Sequence, residues 1–191
     1  MTTANRIKED LDYVASAVRR QDRPSGIPLL YFMWAGLVLV GFSLPDFAPR
    51  YAGMYWFFAG IGGGLFSWWM GARDERKYGI NNTELGKRYG YHWVTVGAAF
   101  LLVGLSMATG RVPVGDAAAT YLLVGGLGYT LAGVHLDRPI LWSGLLMFAA
   151  YIVLTIFQLP YTWTITGIVI ALSLIWAGLT TQRQRRQVAA Q

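Results

Sequence analysis

The stretch AGMYWFFAGIGGGLFSWWMGA, residues 52–72, decides how the rest of the chain is read. Its 21 residues carry no charge. As an α-helix rising 1.5 Å per residue, it is long enough to cross a bilayer core of ~30 Å. Within it Gly53, Phe57, Gly60, Gly64, Ser67 and Gly71 recur at spacings of three and four, so they share one helical face. All but Phe57 are small. In water each such glycine would cost a helix ~1 kcal/mol relative to alanine. In hydrocarbon an unsatisfied backbone group costs several kcal/mol, which holds the segment helical. A row of small residues then lets a neighbouring backbone come close. The stretch is predicted to be a packing helix of a membrane bundle.

Composition extends that reading to the whole chain. Of 191 residues, 54% are apolar and 14% charged, whereas soluble domains sit near a quarter charged. Eight tryptophans suit rings placed at membrane–water interfaces. There is no cysteine, which removes disulfides, thiol catalysis and cysteine-ligated metal. The length fits one compact membrane domain without a sizeable soluble domain.

Residues 1–26 carry Ile7, Leu11, Val14 and Val18 at helical spacing among charged neighbours, and they end in the breakers Pro24 and Gly26. This predicts an amphipathic helix that lies on the cytoplasmic leaflet, docks on a partner, or caps its own bundle. Its length and acidic residues are unlike a signal peptide. Six apolar segments follow, at about 27–45, 52–72, 91–109, 117–136, 140–158 and 161–180. The expected fold is all-α: a polytopic membrane domain over 27–181, with six transmembrane helices as three hairpins, and a basic tail over 182–191. With six spans both termini share a side. Fourteen of the sixteen Lys and Arg fall on that side, leaving only Arg50 and Arg111 on the other. By the positive-inside rule both termini are cytoplasmic, in a bacterial inner membrane. Contact with anionic lipid accounts for the net charge of +6 without any nucleic acid. Asp46 with Arg50, and Arg111 with Asp116, share the two outer loops and are expected to pair weakly there.

The hairpins share a pattern. Trp34, Trp93 and Trp142 lie in the first helix of each pair. Small-residue rows lie in the second: Gly60, Gly64, Ser67 and Gly71; then Gly125, Gly128 and Ala132; then Gly167, Ala171 and Gly178. The pattern implies a parallel repeat about an axis along the membrane normal. The rows are expected to be packing faces. A row unused inside the bundle could join copies into a homo-oligomer.

Candidate chemistry is sparse. A proton-coupled pump keeps an acid or base within the bilayer, and no Asp, Glu, Lys or Arg falls clearly inside the expected spans. His92 and His135 are both expected near the cytoplasmic surface, where they could hold a haem or metal between two helices. The plainer reading is interfacial histidines among aromatics. Gly60–Gly64 is glycine-rich but follows no strand, so it is not a phosphate cradle. Tyr55, Trp56, Tyr161 and Trp163 fall near the outer leaflet. They form either an aromatic belt or a pocket for a small apolar ligand.

These features favour an integral membrane protein without catalytic chemistry or cofactor. It would act by binding a partner through 1–26 and 73–90, in a regulatory or assembly role. Two other readings stand beside it. In size and span count alone the chain resembles the substrate-binding subunits of vitamin-uptake systems, which implies a membrane-embedded small-molecule-binding component of a transporter. His92 and His135 imply instead a haem- or metal-binding electron-transfer subunit.

Overall fold

The computed structural model describes residues 26–78, 83–136, 138–157 and 159–189, with Asn5 besides. The amphipathic helix expected over 1–26 falls almost wholly outside them. Among the described residues there is no strand. From residue 26 on, the described helices are α1 (Pro28–Phe47), α2 (Pro49–Tyr78), α3 (Thr83–Ala108), α4 (Val114–His135), α5 (Pro139–Ile156) and α6 (Thr162–Ala189).

Local sequence sets several of these limits. Pro28 and Pro139 stand in first turns, where a missing N–H costs nothing. Gly110 adopts a φ of +70° after α3, a left-handed turn that glycine accepts freely. Tyr161 also turns left-handed, at φ +56°, between α5 and α6. For a non-glycine residue that costs on the order of 1 kcal/mol. Its ring stacks on Phe47 at 5.6 Å, and the Thr162 hydroxyl donates to the Leu159 carbonyl at 2.8 Å. Three helices outrun the expected spans. α2 continues to Tyr78, α3 starts at Thr83, and α6 runs to Ala189. Apolar windows stop at the first charge, but charged residues such as Arg, Lys and Glu are good helix formers.

α1, α4, α6 and the Gly86–Ala108 part of α3 are long and apolar enough to cross a membrane. α5 is apolar but shorter, and α2 is not among the four. Its 30 residues suffice in length, but glycine, Trp and Tyr hold its mean hydropathy down. Large side chains point outward around the bundle, with Leu101 at 77% and Trp68 at 76% exposure. An apolar outer surface of this extent suits lipid rather than water. The chain is a helical membrane protein on these grounds.

The bundle is built on two close seams. α1 runs along α6, and α4 along α5, and these are its most extensive contacts. On α4–α5, a Cβ at Gly133 would strike the Leu141 backbone, and one at Gly144 would strike the Thr130 backbone. On α6–α1, a Cβ at Gly167 would come within 2.8 Å of the Phe42 Cβ, and one at Gly178 within 2.9 Å of the Phe32 ring. Small residues let backbones meet where lipid gives no hydrophobic drive to association. Leu122, Ile140, Met147 and Leu174 are fully or almost fully buried at the centre. Further round, α1 meets α2, α3 meets α4, and α5 meets α6, while α4 also touches α6. α2 and α3 share no comparable interface among the described residues. The six helices form a ring that is open at one edge.

Candidate functional site

The interior of the ring is lined by aromatic side chains in two tiers. In one, Phe42 of α1 lies 5.6 Å from Trp56 of α2, 5.3 Å from Tyr121 of α4 and 5.7 Å from Trp163 of α6. Tyr121 also meets Phe100 of α3 at 5.7 Å. The edge-on contacts of Phe42 with Trp56 and Tyr121 add ~0.5–1.5 kcal/mol each beyond burial. In the other tier Trp93 of α3 lies 4.9 Å from Tyr129 of α4 and 6.1 Å from Tyr89. The Tyr89 hydroxyl reaches that of Tyr31 on α1 at 3.3 Å. Trp34 donates from its indole nitrogen to the Ser67 hydroxyl of α2 at 2.9 Å, and Ser67 donates to the Gly63 carbonyl.

The proposed ligand-binding aromatics divide. Trp56 and Trp163 touch Phe42, and Tyr55 touches Trp56, but each is already engaged. The Tyr55 hydroxyl donates to the Leu37 carbonyl, the Trp163 indole donates to the Val114 carbonyl, and Trp163 is buried. Tyr161 lies apart from them, on Phe47 at the α5–α6 turn. Tyr55 also borders an open, wholly apolar depression of about 440 Å³ between α1 and α2, with Val40, Met54 and Phe58. Its lining offers no polar group to orient a ligand.

The two histidines have different surroundings. His92 donates from Nε2 to the Gly128 carbonyl at 3.0 Å. His135 is exposed at the end of α4, two helical turns, about 10 Å, beyond Gly128 along the axis. Among the described residues no group of three or more His, Asp or Glu could hold a metal.

The packing rows are placed unequally. Gly125 faces the Met147 sulfur, Gly128 faces Val96, and Ala132 is fully buried. Gly167 and Gly178 lie against α1, and Ala171 is buried. The α2 row differs. Nothing lies within 4 Å of a Cβ placed at Gly53, Gly60, Gly64 or Gly71. α2 meets α1 instead through Gly63 against Trp34, and through Tyr55 and Trp56 against Gly41. Ser67 alone of that row touches α1. The three-and-four spacing identified a small face, but spacing carries no information on whether a neighbour stands there.

Two polar clasps were not legible in the sequence. Asp46, at the end of α1, accepts from the backbone N–H and the hydroxyl of Thr164, both at 2.7 Å. A carboxylate from one helix thereby caps the N-terminus of another, where free N–H groups and the helix dipole favour negative charge. The expected Asp46–Arg50 pair is replaced by this contact, and Arg50 lies over the Tyr51 ring at 4.5 Å. At the opposite end Arg185 of α6 grips Asp74 of α2 with two hydrogen bonds, at 2.9 and 3.2 Å. These two side chains are 14% and 27% exposed. Both clasps join residues more than a hundred apart in sequence, so only the fold could pair them.

The contacts also fix which helix ends coincide. Asp74 with Arg185, Gly178 with Tyr31, Tyr31 with Tyr89, His92 with Gly128, and Gly133 with Leu141 place one end of every described helix together. That end carries Arg73, Arg76, Lys87, Arg88, Arg138, Arg183, Arg185 and Arg186. The opposite end carries Arg50 and Arg111. No protein family, no curated protein and no solved structure matches the chain.

Proposed function

We propose that this chain is a six-span, three-hairpin protein of the bacterial inner membrane, with its basic end and both termini in the cytoplasm. It acts by binding a protein partner, in a regulatory or assembly role. The observation that carries this reading is the charge asymmetry of the bundle. Cationic side chains from α2, α3, α6 and the turn before α5 ring one end, and two arginines stand at the other. By the positive-inside rule the basic end faces the cytoplasm. A mixed basic rim attracts acidic partners as well as anionic lipid. The groups that could have carried chemistry support the same view, since each holds helices together. His92 bonds Gly128, Asp46 caps α6, and Asp74 pairs with Arg185.

Native mass spectrometry of protein extracted in mild detergent tests this directly. A second polypeptide retained by the chain, and lost from an Arg76→Glu, Arg88→Glu double variant that still folds, is the expected result. A chain carrying only a bound small molecule would replace this reading with the solute-binding one. A Soret band would replace it with electron transfer.

A further inference from the structure

We propose that α2 and α3 close against each other through facing glycine rows, so that the ring of helices has a second, sealed state. The two rows are independent features of the chain. On α2, Gly64 is one residue, about 100°, round from Gly63, which meets Trp34 of α1. Gly53, Gly60 and Gly71 share that turned-away face, with nothing within 4 Å of an added Cβ. On α3, Gly97 is likewise one residue round from Val96, which packs on Gly128 of α4. Gly90 and Gly97 flank Trp93 on the side where Tyr89 reaches Tyr31 of α1, and nothing lies within 4 Å of a Cβ at either. α3 therefore turns its bare face towards α1 and α2, and α2 turns its own towards α3.

The rows also match in depth. The Trp34–Ser67 bond levels α1 with α2, and the Tyr31–Tyr89 contact levels α1 with α3. Together they set Met70 of α2 opposite Tyr89 of α3, to within a helical turn of ~5.4 Å. In that antiparallel register Gly71 stands by Gly90 and Gly64 by Gly97. The seven-residue step between the two glycines is the same on both helices. Eleven residues further on, Gly53 stands by Ala108. One register thus serves the whole length.

Two seams of this kind are already filled. Gly126 and Gly133 of α4 are covered by α5, and Gly167 and Gly178 of α6 by α1: each time the second helix of one hairpin lies on the first helix of the next. α2 on α3 is the third seam of the series, and it stands open. Open, it gives lipid-side access to the interior tiers around Trp34, Trp56, Trp93 and Tyr129. Closed, it shuts them off.

Cysteine crosslinking in native membranes tests this cleanly, because the chain has no cysteine of its own. A disulfide forms only when two Cα atoms approach within about 7 Å. The pairs Gly64→Cys with Gly97→Cys, and Gly71→Cys with Gly90→Cys, replace residues with open space around them. Under mild oxidation both are expected to form intrachain disulfides, read as linked peptides by mass spectrometry. The mismatched pair Gly53→Cys with Gly90→Cys is expected to react at least tenfold more slowly. Adding Gly71→Phe to the 64/97 pair is expected to slow its crosslinking by a similar factor. Equal rates for matched and mismatched pairs, or no disulfide in folded protein of both matched pairs, would overturn the proposal. Disulfides between chains rather than within one would overturn it too, and would make the edge a contact between copies.

Discussion

Along α4 and α5, glycines are where two backbones touch; along α2, every glycine but Gly63 is where nothing touches. At Gly133 and Gly144 an added methyl group would enter a neighbour's backbone. At Gly53, Gly60, Gly64 and Gly71 it would meet open space. The residue type and its helical spacing are alike in both regions, yet the mechanical consequences are opposite. One region is fixed by close backbone packing and sits at the fully buried centre. The other is a flank held to α1 by aromatic rings in glycine notches, and to α6 by one ion pair. Glycine in a membrane helix marks permission for close approach, and only the neighbour turns permission into contact.

Three substitutions would break or sharpen that contrast. Gly133→Leu should have the largest effect. No rotamer can clear the Leu141 backbone, so α4 and α5 must separate. We expect a loss of roughly 3 kcal/mol, seen as a collapse in monodisperse yield and in the unfolding midpoint. A Gly133→Leu protein with an unchanged midpoint would remove the α4–α5 seam from this description. Asp74→Asn should act on the flank with an intermediate effect of about 1–2 kcal/mol, since both partners are partly shielded from water. Hydrogen exchange should rise at the basic end of α2 and stay unchanged along α4 and α5; protection lost in all helices alike would mean that α2 is no separate flank. Gly64→Ala should be the mildest change, within ~0.5 kcal/mol and in the stabilising direction if it moves at all. A drop as large as that of Gly133→Leu would show that the α2 face is packed in the membrane.

Much of the fold was legible because bilayer physics constrains sequence strongly. Each apolar run falls on one of the described helices. The helix lengths beyond the apolar windows were not legible, since hydropathy says nothing about a helix that continues past its first charge. The candidate site was read less well. Trp56 and Trp163 each touch Phe42, which no spacing singled out. His92 and His135 are both at the ends of apolar runs, yet His92 bonds the Gly128 carbonyl while His135 is exposed at the end of α4. Asp46 was assigned to the arginine nearest in sequence, while its partner is Thr164, on another helix.

The sequence by itself determined that this chain is helical, that its helices carry small faces, and which of its ends is basic. Each follows from local spacing, composition or charge counting, which need no knowledge of neighbours. The tertiary structure decided which small faces are covered, which acids clasp which helices, and that the ring stands open between α2 and α3. Those outcomes depend on rotations and depths of helices relative to each other. Contacts between residues more than a hundred positions apart set these, as at Asp46 with Thr164 and Asp74 with Arg185. No periodicity within one helix can encode them.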